Sequence, residues 1–600
     1  MWRTVRGGGS SSCDPGVMIG IDFGTSNSCV AVWAPLKSRA KVIKSTTGAS
    51  GAKRSTTPST VTYTGKGSGN FSDYMIGLSP DDMGRVGNSI PVTAIKSILG
   101  NDQVLGKKAT EVKPFVTCTN GGGSEKDIDA EVVASLICKE LKGVAERYMQ
   151  KNMLKLFPQS QIDQEGFIES ICDIKRVVVG VPATFSTTQR RSVRSACLLA
   201  GFEDVQLMVE STAAAMAYGL LVAGCKTVLI FDMGGGTTDI TIMTISDGVH
   251  TVDTTGGISN CGGRAIDGLI FRHVLALLIR DELLTADEAE GYMVAERSIS
   301  SQSLEVKQLL CLCCKCKEDL SASDEATIAI PEDLLLKLKT RGSGKVVSGV
   351  SYEISRPAFE TLLQPLVHRV CQSVSSVIDE WRATRLDQGD TCVALHEVVL
   401  VGGSSRVPEL RHAVRACVNA TQSPEIVELC TSIDADEAVA QGLAIRAGVL
   451  MGCDVGALKD ILMIDAIPSS IGLLTWAGEG GPAAERKFDP VLVKGDPLPA
   501  VRIRRFSLAE IGQQRVSLDV YEEIEDGPDR SLKVVGTYDF PVPRDSGGVV
   551  DVRFEMTLDG QLLFSVCNEG EERGLAVLTY LYAYILVMFV AYVAIKVTLK

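Results

Sequence analysis

The sequence predicts an α/β chain whose larger part is a duplicated, two-lobed domain, with a smaller strand-rich module behind it. Three glycine-broken stretches carry this reading. In Val228-Leu-Ile-Phe-Asp-Met-Gly-Gly-Gly-Thr-Thr-Asp-Ile-Thr-Ile-Met243, an apolar run around one Asp breaks at Gly234, Gly235 and Gly236, then resumes as apolar/polar alternation. That pattern is a buried strand, a glycine turn and a second strand, a hairpin whose backbone can approach a ligand with no Cβ in the way. Met18-Ile-Gly-Ile-Asp-Phe-Gly-Thr-Ser-Asn-Ser-Cys-Val-Ala-Val32 repeats the plan about two hundred residues earlier. The third stretch, Val398-Val-Leu-Val-Gly-Gly-Ser-Ser-Arg-Val-Pro408, runs from a strand into a helix-like segment, where a nucleotide can rest on a helix N-terminus. Successive N–H groups in such turns form an anion-binding concavity, and a carboxylate beside one can hold a hydrated divalent cation. Two acidic hairpins therefore imply two lobes facing each other across a phosphate.

At 600 residues the chain has room for about four domains of ~150 residues, which accommodates two lobes and a further module. A net charge of −13 excludes a nucleic-acid backbone as the main partner. Eighteen cysteines at irregular spacing, in a chain with ample core, are reduced thiols facing a cytosolic compartment rather than a disulfide framework. Five histidines with no HExxH spacing exclude the common zinc enzymes. The N-terminal tail, 1–16, lacks an apolar secretory core. Basic, Ser-rich and free of acids up to Asp14, it fits either a transit peptide or a disordered tail, and its shortness favours the tail.

In chain order, Lys37 to Thr57 is a polar loop, and Thr57 to Tyr63 returns to strand alternation. Ala94 to Gly100 predicts a short helix closed by glycine and presenting Lys96. Asp127 to Met149 has helical periodicity, and Gln159 to Ser170 is a polar surface insertion. Arg176-Val-Val-Val-Gly-Val-Pro-Ala-Thr-Phe185 is a buried strand stopped by Pro182, and Thr187 to Gly201 is a helix carrying Arg190, Arg191 and Arg194. Val209-Glu-Ser-Thr-Ala-Ala-Ala-Met-Ala-Tyr-Gly219 is an Ala-rich helix with Glu210 at its start.

Taken together, these motifs resemble the nucleotide-binding domain of the DnaK-type, seventy-kilodalton heat-shock chaperones, within the actin/sugar-kinase superfamily. The resemblance implies an actin-like two-lobed ATPase domain (a duplicated ribonuclease-H-like fold) over 17–451 and an interdomain linker over 452–467, with Lys459-Asp-Ile-Leu-Met-Ile-Asp465 as its apolar stretch. A β-sandwich peptide-binding domain would follow over 468–570, carried by alternating runs such as Arg515 to Tyr521 and Asp551 to Met556. The end of the chain departs from the family pattern: in place of a long polar helical lid, Leu575 to Ile595 runs 21 residues without a charge. At ~1.5 Å per residue that is ~31 Å of helix, matching a ~30 Å hydrocarbon core. A helix buried on the β module is the alternative, but an all-apolar terminal helix would leave one face uncovered. The expectation is a transmembrane tail anchor over 575–595, holding the domains in the cytosol at the endoplasmic reticulum or outer mitochondrial membrane.

Carried over residue by residue, the resemblance implies ATP or ADP with Mg2+ in the cleft. Asp22 and Asp232 would hold the hydrated metal. Gly24, Thr25, Ser26 and Asn27 would wrap the phosphates from one side, and Gly234, Gly235, Gly236 and Thr237 from the other. Lys96 would meet the γ-phosphate and attacking water, with Glu210 and Asp239 completing the shell. Gly262, Gly263, Lys317, Ser321, Gly402, Gly403, Ser404, Arg406 and Asp436 would bind the adenosine side. Here the chain departs again: Cys314 stands where the family usually has Glu, Glu318 where an Arg often stacks on adenine, and Arg264 and Ala265 replace an acidic pair. The changes at Cys314 and Glu318 imply weaker nucleotide affinity. Pro182, Arg190 and Asp465 match the family's allosteric elements, and Leu473, Trp476, Val516 and Leu518 align with the peptide groove.

Gln206 and Val209 replace the usual Arg and Asn of the J-domain contact, so ordinary stimulation by a J-domain co-chaperone is not expected to carry over unchanged. Cys311, Cys313, Cys314 and Cys316 form two pairs on different helix faces, readable as structural thiols, a redox-sensitive thiol or a metal set. The implied function is a membrane-tethered, ATP-hydrolysing chaperone for unfolded or nascent polypeptides, served by a J-domain protein and a nucleotide-exchange factor and binding no nucleic acid. The rival is a non-cycling, ATP-bound scaffold of the ribosome-associated type.

Overall fold

The computed structural model describes residues 16–567, apart from 46–52, 65–72, 79–90, 101–114, 120–124, 220–223, 247, 298–301, 339–348, 388, 390–393, 422–426, 431, 453–461, 477–485, 508–513, 528 and 543–548. The chain divides between Pro468 and Ser469 into two compact units, with Ile524–Ser531 grouping with the first.

Two copies of one sheet plan make up the first unit. The first sheet is built on β1 (Met18–Asp22), β2 (Asn27–Ala34), β3 (Arg39–Val42), β4 (Arg176–Val181) and β5 (Asp204–Val209), in the order β5-β4-β1-β2-β3. The second uses β6 (Lys226–Met233), β7 (Thr238–Ser246), β8 (Val249–Ile258), β9 (Glu397–Val401) and β10 (Glu428–Cys430), in the order β10-β9-β6-β7-β8. In each, the first three strands are antiparallel neighbours and the last two add in parallel to the first. Each sheet carries a sixth strand: Thr56–Pro58 pairs antiparallel with β2 in the first, and β11 (Leu462–Ile464) pairs in parallel with the edge of β8 in the second. This places the end of the expected linker on the first unit; residues 453–461, including Lys459, lie outside the described residues.

Helices cover the sheets in matching positions. In the first lobe these are α1 (Ala130–Leu156), α2 (Thr187–Leu199) and α3 (Glu210–Gly219). In the second they are α4 (Gly263–Arg280), α5 (Leu304–Ala322), α6 (Arg356–Asp387), α7 (Pro408–Thr421) and α8 (Ala438–Leu450). α3 and α8 both follow the fifth strand of their sheet, and their small residues, Ala213, Ala214, Ala440 and Ala444 among them, are fully buried. Ser186 starts α2 with a capping box to Gln189, satisfying N–H groups that the first turn leaves open.

Two boundaries differ from the sequence expectation. Residues 125–129 pair as a strand, so the helix expected from Asp127 begins at Ala130, capped by the Asp129 carboxylate on the Glu131 N–H (2.8 Å). The polar stretch 159–170 is not a plain surface insertion. It forms two short helices, Gln159–Ile162 and Phe167–Cys172, and buries Phe157 edge-on to Phe167 with ring centroids 5.1 Å apart. A few apolar residues at helical spacing anchor it, and their signal is diluted by the polar residues between them.

The second unit is all β. A four-stranded sheet runs Arg486–Leu492, Ile471–Trp476, Arg515–Asp526, Asp529–Pro541, and a three-stranded sheet runs Ala500–Ser507, Val549–Met556, Leu562–Cys567. Val550, Val552, Phe554 and Met556 are buried at every second position, the mark of one face turned inward. Tyr538 and Phe564 bring the sheets together with ring centroids 4.3 Å apart. The expected membrane span, 575–595, lies outside the described residues, and no described helix is long and apolar enough to cross a membrane.

Candidate active site between the two hairpins

The two glycine turns abut. A Cβ on Gly235 would lie 2.2 Å from Ser26 Oγ, and one on Gly236 would lie 2.7 Å from Thr25 Oγ1. Only glycine allows this approach. The first turn is braced by Ser59, whose hydroxyl donates to the Gly24 carbonyl (2.7 Å) and shares a hydrogen bond with Ser28 Oγ (2.8 Å). The second turn is braced from elsewhere in its own lobe. Gly263 N–H donates to the Gly234 carbonyl (3.0 Å), Arg264 N–H to the Gly235 carbonyl (2.9 Å), and Ser404 Oγ to the Gly234 carbonyl (2.8 Å). Gly402 holds φ +78°, and a Cβ there would meet the Met233 carbonyl oxygen at 2.4 Å and Asp232 Oδ1 at 2.6 Å. The third glycine turn thus rests directly on the second hairpin.

Around these turns the acids converge. Lys96 sits in a single 3-10 turn, Ile95–Ser97, after Ala94 in the left-handed region, and is only 2% exposed. It forms an ion pair with Glu210 at the start of α3 and lies 5.8 Å from the centroid of the Phe185 ring. Asp239 accepts from the Thr184 N–H (3.2 Å) and from the Thr237 hydroxyl (3.0 Å). Burial and then the nearby Glu210 push Asp22 up to about 7 and Asp239 up to about 6. Burial, with Glu210, Asp239 and Asp22 adding repulsion, raises Asp232 well above the ordinary carboxylate range. Lys96 alone cannot balance four acids, so the site lacks positive charge. Among the described residues, no three His, Cys, Asp or Glu close into a direct metal-ligand set. Buried carboxylate oxygens short of positive charge, Asp22 and Asp232 among them, are hard donors of the kind that suit a hydrated divalent cation.

The adenosine-side candidates are also brought together, with several of them engaged internally. Arg406 spans Asp436 (2.8 Å) and Asp434 (3.3 Å) in a half-exposed fork beside Gly403. Lys317 is paired with Asp267 (2.8 Å) and donates to the Gly263 carbonyl (3.3 Å). Burial works against the Lys317 charge, but Asp267 outweighs it and its pKa rises. The Ser321 hydroxyl donates back to the Lys317 carbonyl (2.9 Å). Burial lowers the Arg264 pKa, and the neighbouring Asp267 and Glu296 counter it only in part. Glu318 is exposed and 3.8 Å from Cys314 Sγ.

Within α5, Cys313 and Cys316 face the core, and Cys311 and Cys314 are half-exposed. Burial raises the Cys314 thiol to about 12 and Cys316 to about 11, and Cys313 also rises. Thiols held protonated in this way are poor nucleophiles, which favours the structural reading for Cys313, Cys314 and Cys316.

Arg190 is buried and donates to the carbonyls of Phe185 (3.0 Å), Pro182 (3.3 Å) and Ala183 (3.4 Å), so it braces the loop after β4. Burial raises Asp465, with Arg190 and Arg446 countering it. Gln206 donates to Asp204 (2.9 Å), and Val209 is buried. In the β unit, Leu473 stands opposite Val520, Val516 is buried and Leu518 half-buried on the same strand face, and the Trp476 side chain lies outside the described residues. Sequence reasoning passed over Ser59, Phe185, Thr184, Asp267 and Arg446. A Ser after Pro, a backbone N–H and a core Phe carry no motif; only the packing shows what they hold.

Acidic glycine hairpins in two copies of one sheet plan, meeting turn to turn over buried carboxylates, define a two-lobed phosphate-binding class of protein. A family model described as Hsp70 protein matches residues 18–575, and the chain belongs to that family. Its members are ATPases that bind ATP or ADP with Mg2+. They typically bind unfolded peptides and act with J-domain and nucleotide-exchange co-chaperones. Membership supports an ATP-dependent chaperone in general.

Proposed function

We propose that this chain hydrolyses ATP slowly, couples hydrolysis to binding of extended apolar peptide segments, and works tethered to a membrane. The convergence of Asp22, Asp232, Asp239 and Glu210 on one buried lysine carries the reading, because such a site is short of positive charge. A magnesium ion held with ATP would supply that charge, and ATP the scissile phosphate. The chain's own residues do the positioning. N–H groups of both turns cradle anionic oxygens, and Glu210 fixes the Lys96 ammonium. Asp239, held at Oδ1 by the Thr184 N–H and at Oδ2 by the Thr237 hydroxyl, is oriented toward the attacking water by both. Leu473, Val516 and Leu518, with Trp476, are the proposed peptide contacts, and peptide main chain would add hydrogen bonds. Pro182, Arg190 and Asp465 are the proposed coupling elements.

The single-turnover rate of the full chain, beside Lys96→Ala and with an apolar peptide, is the direct test. Slow hydrolysis that falls about 100-fold in the variant and rises with peptide supports the reading. Tight ATP binding with no hydrolysis above the variant overturns it. The scaffold alternative draws on one observation: Lys317 and Ser321, both implied adenosine contacts, are engaged with Asp267 and with helix backbone.

The 21 uncharged residues from Leu575 to Ile595 support the anchor, with the domains facing the cytosol at the endoplasmic reticulum or outer mitochondrial membrane. The full chain should stay with membranes through alkaline carbonate extraction, and a chain ending at 570 should not. Release of both would sink the anchor.

A further inference from the structure

Outside the nucleotide site, α6 and α7 bring two half-buried thiols together. Cys371 Sγ donates to the Ala413 carbonyl (3.8 Å), and Cys417 Sγ donates back to the Cys371 carbonyl (3.4 Å). The two thiols also lie close enough to shift each other's ionisation. Ser375, one turn along α6, places its hydroxyl 3.1 Å from Cys417 Sγ. The contact is therefore reciprocal: each sulfur reaches across the helix pair to the backbone of the other helix.

We propose that Cys371 and Cys417 are a peroxide-reactive dithiol that closes into an intramolecular disulfide joining α6 to α7. Cys417 is the attacking sulfur. Once Cys417 gives up the proton it directs at the Cys371 carbonyl, the Cys371 contact and the Ser375 hydroxyl, 3.1 Å away, favour its thiolate and lower its pKa, while the same contact and burial push Cys371 up. The Cys417 thiolate attacks one peroxide oxygen, the O–O bond breaks, and hydroxide leaves as water after taking a proton, giving a sulfenic acid. Cys371 sulfur then attacks the Cys417 sulfur. The S–O bond breaks, the S–S bond forms, and the departing hydroxide takes the Cys371 proton. Two electrons from the sulfurs reduce one hydrogen peroxide to two waters. A dithiol reductant reverses the bond.

A second pair in the same chain supplies the contrast. Cys138 and Cys197 stand with sulfurs 4.0 Å apart, but both are fully buried in the first lobe, and Cys197 is raised by its bond to Cys138 and by burial. Proximity without access or a stabilised thiolate should leave them reduced.

The test is limited hydrogen peroxide on the full chain, followed by alkylation and non-reducing peptide mapping. The first disulfide expected is Cys371–Cys417, lost on adding dithiothreitol, with Cys138 and Cys197 still alkylated as free thiols. A first disulfide elsewhere, or sulfinic acid on Cys417 with Cys371 free, overturns the proposal. In Cys371→Ser, Cys417 should stop at a sulfenic acid trapped by dimedone. In Cys417→Ser, Cys371 should give at least about tenfold less adduct. Equal labelling of the two variants would overturn the assignment of Cys417 as the attacking sulfur.

Discussion

The two acidic hairpins share strand order, direction and register, yet they differ at the position facing the acid. In the first lobe Asp22 stands across from Cys29; in the second Asp232 stands across from Asp239. Burial and Asp22 together raise the Cys29 thiol, so it adds no charge, while Asp239 adds a second carboxylate. The turns differ as well: one glycine braced by Ser59 in the first, three glycines braced by α4 and the Gly402 turn in the second. Duplication has kept the backbone mould and divided the chemistry. The second lobe brings paired acids and open backbone, and the first brings one acid together with Lys96 and Glu210 from outside its hairpin.

The largest expected effect probes where each turn is constrained. In the second lobe, Gly402→Ala puts a Cβ against the Met233 carbonyl and Asp232 at a positive φ, whereas Gly234→Ala meets nothing within 4 Å. Left-handed strain of about 1–2 kcal/mol plus overlap of about 1–3 kcal/mol should lower the melting temperature of Gly402→Ala by ~5 °C or more. Gly234→Ala should stay within about 1 °C of the parent, as an unobstructed substitution does. In the first lobe, Gly24→Ala strikes the Asn27 carbonyl at 1.9 Å, within its own turn. It should destabilise as Gly402→Ala does. A tolerated Gly24→Ala would mean that the first turn relaxes alone, and the comparison would have to be redrawn.

Much of this was legible in the sequence because the signals are local. An apolar strand, an acid and a glycine break can be read within fifteen residues, and the plan occurs twice, so the lobes, the acids and the facing turns followed. Lys96 was also legible, but its burial against Phe185 and Glu210 was not, since the ion pair with Glu210 joins residues more than a hundred positions apart. The same limit hid Asp267 from the reading of Lys317. The α5 cysteines show the converse: their spacing drew attention to a redox role, while the reciprocal pair on α6 and α7, far apart in sequence, went unnoticed. Spacing reports which residues share a helix face. It does not report depth, and depth decides whether a thiol ionises.

A smaller effect concerns protons at the two acids and sharpens the same comparison. With Asp22 at about 7 in the folded chain against an ordinary 3.8, the native state holds a proton that the unfolded chain has released between roughly pH 4 and 7. Stability of the nucleotide-free protein therefore falls as pH rises through that window, the reverse of a salt-bridged carboxylate. Asp239, at about 6, adds to the same slope, and Asp232 is shifted in the same direction. Asp22→Asn removes one of these groups and should raise the apo melting temperature more at pH 7.5 than at pH 5, the difference being worth about 1–3 kcal/mol. Asp232→Asn should do the same and also relieve Asp239, so the residual slope should be shallower in that variant than in Asp22→Asn. Thermal melts of the three proteins at pH 5, 6.5 and 7.5 decide it. Equal slopes in the two variants would mean that the three aspartates share their protons as one unit, and that the division of charge between the lobes does not govern the site.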